Sequence, residues 1–261
     1  MRQAAAGARH RRNSRNGRHA GEHLIAAARA FYNRAIADGY PTIVDSPAHR
    51  GRKPRRLPNT RRALTPDELS DINTAARSGG HDIVLDALLL RLHTETACRR
   101  AGALALRLTD LDTHHALIRL REKGGTQRWQ PITPMLASRL NDHARARGAV
   151  APTDALLRYR NGQPATSRRY DLMWRRIGRQ LPWVAAQGIT THWLRHTTLT
   201  WVERHFGYGV ARAYAGHTDR RRPATTYIKA DLQAVATAVA ALTGQPHPLA
   251  VEQRGLPRPP T

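Results

Sequence analysis

The stretch from Asp82 to Glu95, DIVLDALLLRLHTE, constrains the fold more than any other part of the chain. A run this apolar, long enough for a helix, belongs in a core. It reads as a helix over 82–93. Ahead of it, Thr65 is followed by Pro66, Asp67 and Glu68. That order starts a helix: a hydroxyl at the N-cap, proline at the first position, acids in the first turn. A helix over 66–77 follows, and a domain begins near this point.

Downstream the period changes. Residues 115–121 alternate, Lys123-Gly124-Gly125-Thr126 turns the chain, and Arg128 to Thr133 supplies a partner, which predicts a β-hairpin. Helices are predicted over 100–107, 134–148, 168–180, 191 to about 206, 210–215 and 227–242, with Gly216 stopping the 210–215 segment. Asp110-Leu111-Asp112 reads as a turn. The fold class is therefore α+β, mainly α: a helical domain with a small antiparallel sheet. Residues 1–18 form a basic arm. Residues 20–38 read as an amphipathic helix with Leu24, Ala27, Ala28, Phe31 and Ile36 largely on one side. A Pro- and Arg-rich linker spans 43–65. The expected organisation is an arm (1–18), a partial helical domain with linker (19–58), the main domain (59–245) and a Pro-rich tail (246–261).

Charge then narrows the partner. The chain of 261 residues has 43 Lys plus Arg against 19 Asp plus Glu, a formal net of +24. Such a field draws in polyanions, and nucleic acid is the natural one. Arg, whose planar fork grips phosphate bidentately, greatly outnumbers Lys. With two Phe in the chain, an aromatic platform for single strands is not expected. The single cysteine, Cys98, excludes an internal disulfide and a Cys-rich zinc site, and it reads as a small buried residue. No stretch reaches the length of a membrane span, and the basic N-terminus lacks the apolar region of a secretory signal. The expected compartment is the cytoplasm, with no membrane partner. Trp129, Trp174, Trp193 and Trp201 read as core packing. The Arg pairs at 11–12, 55–56, 61–62, 168–169 and 175–176 read as solvated faces, some lying along phosphates.

Residues with chemistry fall in a few places. In Thr191–His196, THWLRH, His192 and Arg195 are three apart and share a helix face. An imidazole moves protons near neutral pH, and an arginine beside it holds a phosphate oxygen. His192 and His196 have a zinc-compatible spacing, but Trp193 stands where the metalloprotease pattern needs Glu. No metal or cofactor is expected. Further on come Ala215-Gly216-His217 and, ten residues later, Tyr227. Each alone is weak; the set carries the argument.

The set resembles the tyrosine recombinase (phage integrase) family over roughly residues 20–245. TACRRAGALALRLTDLD looks like that family's first arginine box, with Arg99 as its arginine. REKGGTQRWQPIT resembles its β-hairpin, with Lys123 in the lysine position. THWLRHTT supplies His192 and Arg195, YAGHTD supplies His217, and ATTYIKA supplies Tyr227. The sequence departs from the family in three places. Gly102 stands where an acid is usual. The gap from His217 to Tyr227, holding Arg220-Arg221-Arg222-Pro223, is about one residue longer than the common form. At the front, residues 20–58 correspond to only the last helices of a DNA-clamping domain.

The resemblance implies a site-specific recombinase that cuts and rejoins duplex DNA through a 3′-phosphotyrosyl bond at Tyr227. It implies that Arg99 and Arg195 stabilise the phosphate charge, Lys123 protonates the leaving oxygen, His192 takes the tyrosine proton and His217 hydrogen-bonds the phosphate. It further implies a homo-tetramer on two DNA sites. The helix after Tyr227 has an Ala/Val/Leu face suited to a neighbouring protomer or to its own chain. Two other readings compete: a non-catalytic DNA-binding remnant of an integrase, and an RNA-binding basic protein in which the ordered set is coincidence.

Overall fold

The computed structural model describes residues 18–40, 47–50, 61–121, 127–216 and 225–250, without the side chains of 18–20, 47, 50 and 225–231. The chain divides into two compact units, Met1–Thr60 and Arg61–Thr261.

In the first unit, helix α1 (Arg18–Ala37) and a single turn α2 (Pro47–Arg50) are held by Arg29, whose Nε donates to the Ala48 carbonyl at 2.8 Å. The short α2 lies in the stretch expected to be linker. The predicted apolar side of α1 is exposed at Leu24, Phe31 and Ile36.

The second unit opens with α3 (Pro66–Arg77) at the predicted bounds. Thr65 accepts from the Glu68 amide while the Glu68 carboxylate accepts from the Thr65 amide, a complete capping box. Helix α4 (Ile83–Thr96), started by Asp82, runs one turn beyond the sequence expectation. Helix α5 (Arg100–Leu104) is shorter than expected. At 110–112, where the sequence predicts a turn, a 3-10 turn (Leu108–Asp110) runs into strand β1 (Leu111–Asp112), a third strand that two residues are too few to announce by alternation. Strands β2 (Leu117–Arg121) and β3 (Gln127–Pro131) form the predicted hairpin, and the sheet order is β1-β2-β3, antiparallel throughout. Helices α6 (Pro134–Ala146), α7 (Ser167–Gln180), the short unpredicted α8 (Pro182–Gln187), α9 (Thr191–Tyr214) and α10 (Thr225–Thr243) complete it. Within α9 the chain breaks at Gly207, φ 81° and ψ 168°, a conformation in which a Cβ would be strained. That break separates the two helices read from the sequence.

Leu85, Leu89 and Leu92 of α4 are buried in the main core with Ile72, Ile118, Leu120, Leu136, Tyr170 and Ile177. Some of the arginines are paired with buried carboxylates beside this core. Asp86, fully buried, pairs with Arg169 at 2.6 Å and Arg176 at 3.0 Å, and Asp82 pairs with Arg147. This corrects the reading of 168–169 and 175–176 as solvated faces. Arg169 is buried and Arg176 is half-buried against Asp86, while Arg168 and Arg175 remain outside. Helical periodicity is the reason: adjacent residues on one helix point about 100° apart, so a pair of arginines divides between faces. Trp129 is also corrected. It is exposed on β3, under the Arg119 guanidinium at 5.7 Å, whereas Trp174 and Trp193 are core as expected. A second cluster joins Ala97, Val202, Ala211, Tyr214, Val235, Ala238 and Val239. It packs α10 onto its own chain.

Candidate active site

Helix α4 ends because Ala97 turns left-handed, φ 48° and ψ 23°. The chain then runs extended through Arg99 (φ −81°, ψ 152°), which caps α5. Carbonyls at a helix end need outside partners. Here buried side chains supply them. Tyr214 Oη donates to the Glu95 carbonyl, Arg195 Nη1 to the Ala97 carbonyl, and His93 Nδ1 to the Cys98 carbonyl at 3.1 Å. Cys98 itself is buried, as expected.

Arg195, 5% exposed, also donates from Nη2 to the Ala215 carbonyl at 3.0 Å. One guanidinium thus ties the turn two residues before Arg99 to the turn two residues before His217. Helix α9 ends there as the sequence predicts: Ala215 caps it and Gly216 takes φ 69°.

His192 lies one turn before Arg195, exposed at the surface. Its imidazole is held below the ordinary histidine pKa, first by partial burial of the ring, then by the charges of Arg61, Arg195, His196 and Arg99. Arg99, His192 and Arg195 therefore share one electrostatic neighbourhood, and Arg61 joins them. Nothing in the sequence singles out Arg61 from its neighbour Arg62, which turns away to a bidentate pair with Glu68. Sequence reasoning also misses His93, Tyr214 and Glu95, whose partners are a carbonyl five residues on, a carbonyl far away in sequence, and a distant threonine. Glu95 is buried between Arg91 and Thr133, with the Thr133 amide donating to it at 2.9 Å.

Lys123 and His217 lie outside the described residues. Tyr227 falls in the first turn of α10, and its side chain is not described. Strands β2 and β3, paired out to Arg121 and Gln127, stand on either side of the segment that contains Lys123. Buried Asp110 grips β2 by accepting from Arg121 at 2.5 and 2.8 Å and from Arg119 at 2.9 Å. The departure at Gly102 has a local cause: a Cβ there would lie 3.3 Å from the Arg121 carbonyl, so α5 sits too close to β2 for an acidic side chain without a shift.

Two guanidinium groups beside an imidazole whose charged form is disfavoured suit an anion whose charge grows during reaction, next to a group able to take a proton. Among the described residues, no cluster of His, Cys, Asp and Glu could hold a metal ion, and no helix is long and apolar enough to cross a membrane.

Comparison with known proteins bears on the family and the fold. The tyrosine recombinase XerC of Roseiflexus sp. (strain RS-1) is 29% identical over 180 residues, covering 66% of this chain and 56% of that protein. The chain thus spans just over half the length of that relative. Lambda integrase bound to DNA superposes with a TM-score of 0.54 at 19% identity, covering 79% of this chain and 72% of that one. A lambda integrase tetramer on a Holliday junction gives 0.51 at 17% identity, covering 77% and 66%. These two establish likeness of fold. The model of the phage integrase family matches residues 62–233, two thirds of the chain, and by that match the chain belongs to the phage integrase family of tyrosine recombinases.

Proposed function

We propose that this chain is a site-specific DNA recombinase whose main domain breaks and rejoins duplex DNA through Tyr227. The observation that supports it best is the junction at Arg195, where one buried side chain braces the Arg99 turn and the Ala215 turn while Arg99 and Arg195 both act on His192. In this reading the Tyr227 hydroxyl attacks a backbone phosphate. Its proton passes to His192, a 3′-phosphotyrosyl bond forms, and the 5′-oxygen leaves with a proton from Lys123. Arg99 and Arg195 stabilise the negative charge on the phosphate oxygens, with His217 as a further donor. The free 5′-hydroxyl of another strand reverses the step, so the energy of the phosphodiester is retained and no nucleotide cofactor is consumed. The partner is double-stranded DNA in the cytoplasm, and the assembly is a tetramer on two sites. Residues 59–245 are the catalytic domain, and 19–58 are what this chain holds of a DNA-clamping domain.

The test is covalent trapping. The purified chain is incubated in EDTA with nicked duplexes tiled across the DNA flanking its gene, and an SDS-resistant adduct is sought. An adduct lost in Tyr227→Phe, with DNA affinity retained, establishes the reaction. Binding without an adduct would instead favour a DNA-binding remnant.

A further inference from the structure

Arg99 leaves the backbone from a peptide whose carbonyl belongs to Cys98. That carbonyl accepts from His93 Nδ1 at 3.1 Å, and His93 Nε2 accepts from the Tyr170 hydroxyl at 2.8 Å. The direction of this chain follows from its carbonyl end and the neutrality of the ring. A carbonyl can only accept, so Nδ1 carries the proton; in the neutral ring Nε2 then holds the lone pair and the tyrosine donates. A neutral ring alone can do both. The surroundings keep it neutral: His93 is 1% exposed, and burial with the nearby Arg195 charge pushes its pKa down to about 4. Tyr170, also 1% exposed, meets the imidazole edge-on at 5.4 Å.

A peptide group is planar, so holding the Cys98 oxygen also holds the nitrogen of Arg99. The preceding plane is held the same way, by Arg195 on the Ala97 carbonyl. Two successive peptide planes ahead of Arg99 are therefore pinned by buried donors, and the arginine is aimed from a fixed root. Tyr170 sits on α7, which also reaches the next residue, Arg100, through Asp171 at 3.2 Å. That second tie is exposed and weak; the buried chain is the firm one.

We propose that Tyr170 and His93 are positioning residues, a buried relay from α7 that sets where Arg99 stands. The proposal rests on the role given to Arg99 above.

Tyr170→Phe removes one hydroxyl and keeps the ring. Three quantities are read on the full chain: the single-turnover rate of adduct formation on a nicked duplex, the equilibrium affinity for that duplex, and amide hydrogen exchange without DNA. A small displacement of a catalytic group costs on the order of 10- to 100-fold in rate, so a loss in that range is expected, with affinity within about twofold. Exchange should quicken at the Cys98 amide, bonded to Thr96 Oγ1, and at the Ala103 amide, bonded to the Arg99 carbonyl, but not at the start of α4. His93→Gln, which keeps an N–H donor, should recover part of the rate that His93→Leu loses. Exchange that quickens evenly through the unit overturns the proposal, because it marks general loosening. So does a rate unchanged while local protection falls. If the unaltered chain forms no adduct, the recombinase reading fails by itself, and the exchange pattern still decides whether Tyr170 and His93 hold the Arg99 turn.

Discussion

The guanidinium of Arg195 donates to the carbonyl of Ala97, the left-handed residue that turns the chain toward Arg99. A second nitrogen of the same group reaches the Ala215 carbonyl at 3.0 Å. The architecture around Arg99 and the proposed role of Arg195 thus meet in one side chain.

Arg195→Lys should fail on both counts. An ammonium is a compact charge that cannot span two carbonyls as a planar fork does. Each lost bond to a charged donor costs about 1.5–3 kcal/mol, so the urea midpoint should fall, and adduct formation should drop on the order of 100-fold or more. Equal rates for the lysine variant and the parent would separate Arg195 from the reaction.

His192 must be neutral to accept a proton. The rate of adduct formation should therefore fall as pH drops through its pKa, and that limb lies below the usual value of about 6.5 because the ring is partly buried beside Arg61, Arg195, His196 and Arg99. Arg61→Gln removes one of those charges and should move the limb toward higher pH. A pH–rate profile of both proteins checks this; an unmoved limb would mean that another group is the base.

Stability should also weaken in acid. Burial, the leading cause at both, brings the pKa of His93 and of His143 down to about 4. In the unfolded chain both titrate near 6.5, so between those values the unfolded state binds more protons and stability falls as pH falls. A full shift of this size corresponds to roughly 3 kcal/mol per histidine. Urea midpoints between pH 7 and 4.5 should show the slope. His93→Gln should be weaker at pH 7 yet flatter across the range.

Much of this molecule is legible in its sequence, and the reasons are local. Thr65 and Glu68 write their capping box three residues apart, and the alternation at 117–121 shows the hairpin directly. The residues proposed to bear chemistry sit in five short ordered segments, which is the kind of pattern that family resemblance reads. What stays hidden is what the tertiary fold decides. Strand β1 is two residues long. Arg169 looks like any surface arginine until α7 turns it onto Asp86. Tyr214 and His93 act on carbonyls, which every residue has, so no side-chain pattern marks their targets.

Ala97 offers the sharpest separation of strain from packing. It is a non-glycine residue at φ 48°, fully buried, in the cluster that carries Tyr214 and the α10 residues Val235 and Val239. A left-handed conformation costs an ordinary residue about 1–2 kcal/mol. Ala97→Gly should relieve that cost but forfeit a buried methyl worth about 0.8 kcal/mol and add freedom to the unfolded chain. The net change should be within about 1 kcal/mol, and adduct formation should persist. Ala97→Val meets both penalties at once: a β-branched side chain in the left-handed region, and extra volume in a closed cluster costing about 1–3 kcal/mol. It should lose roughly 3 kcal/mol or more in urea unfolding. Because the Ala97 carbonyl is the acceptor for Arg195, the valine protein should lose adduct formation as well, even at temperatures where it remains folded. A valine variant as stable and as active as the parent would show that the turn before Arg99 is not the tight, left-handed junction described here.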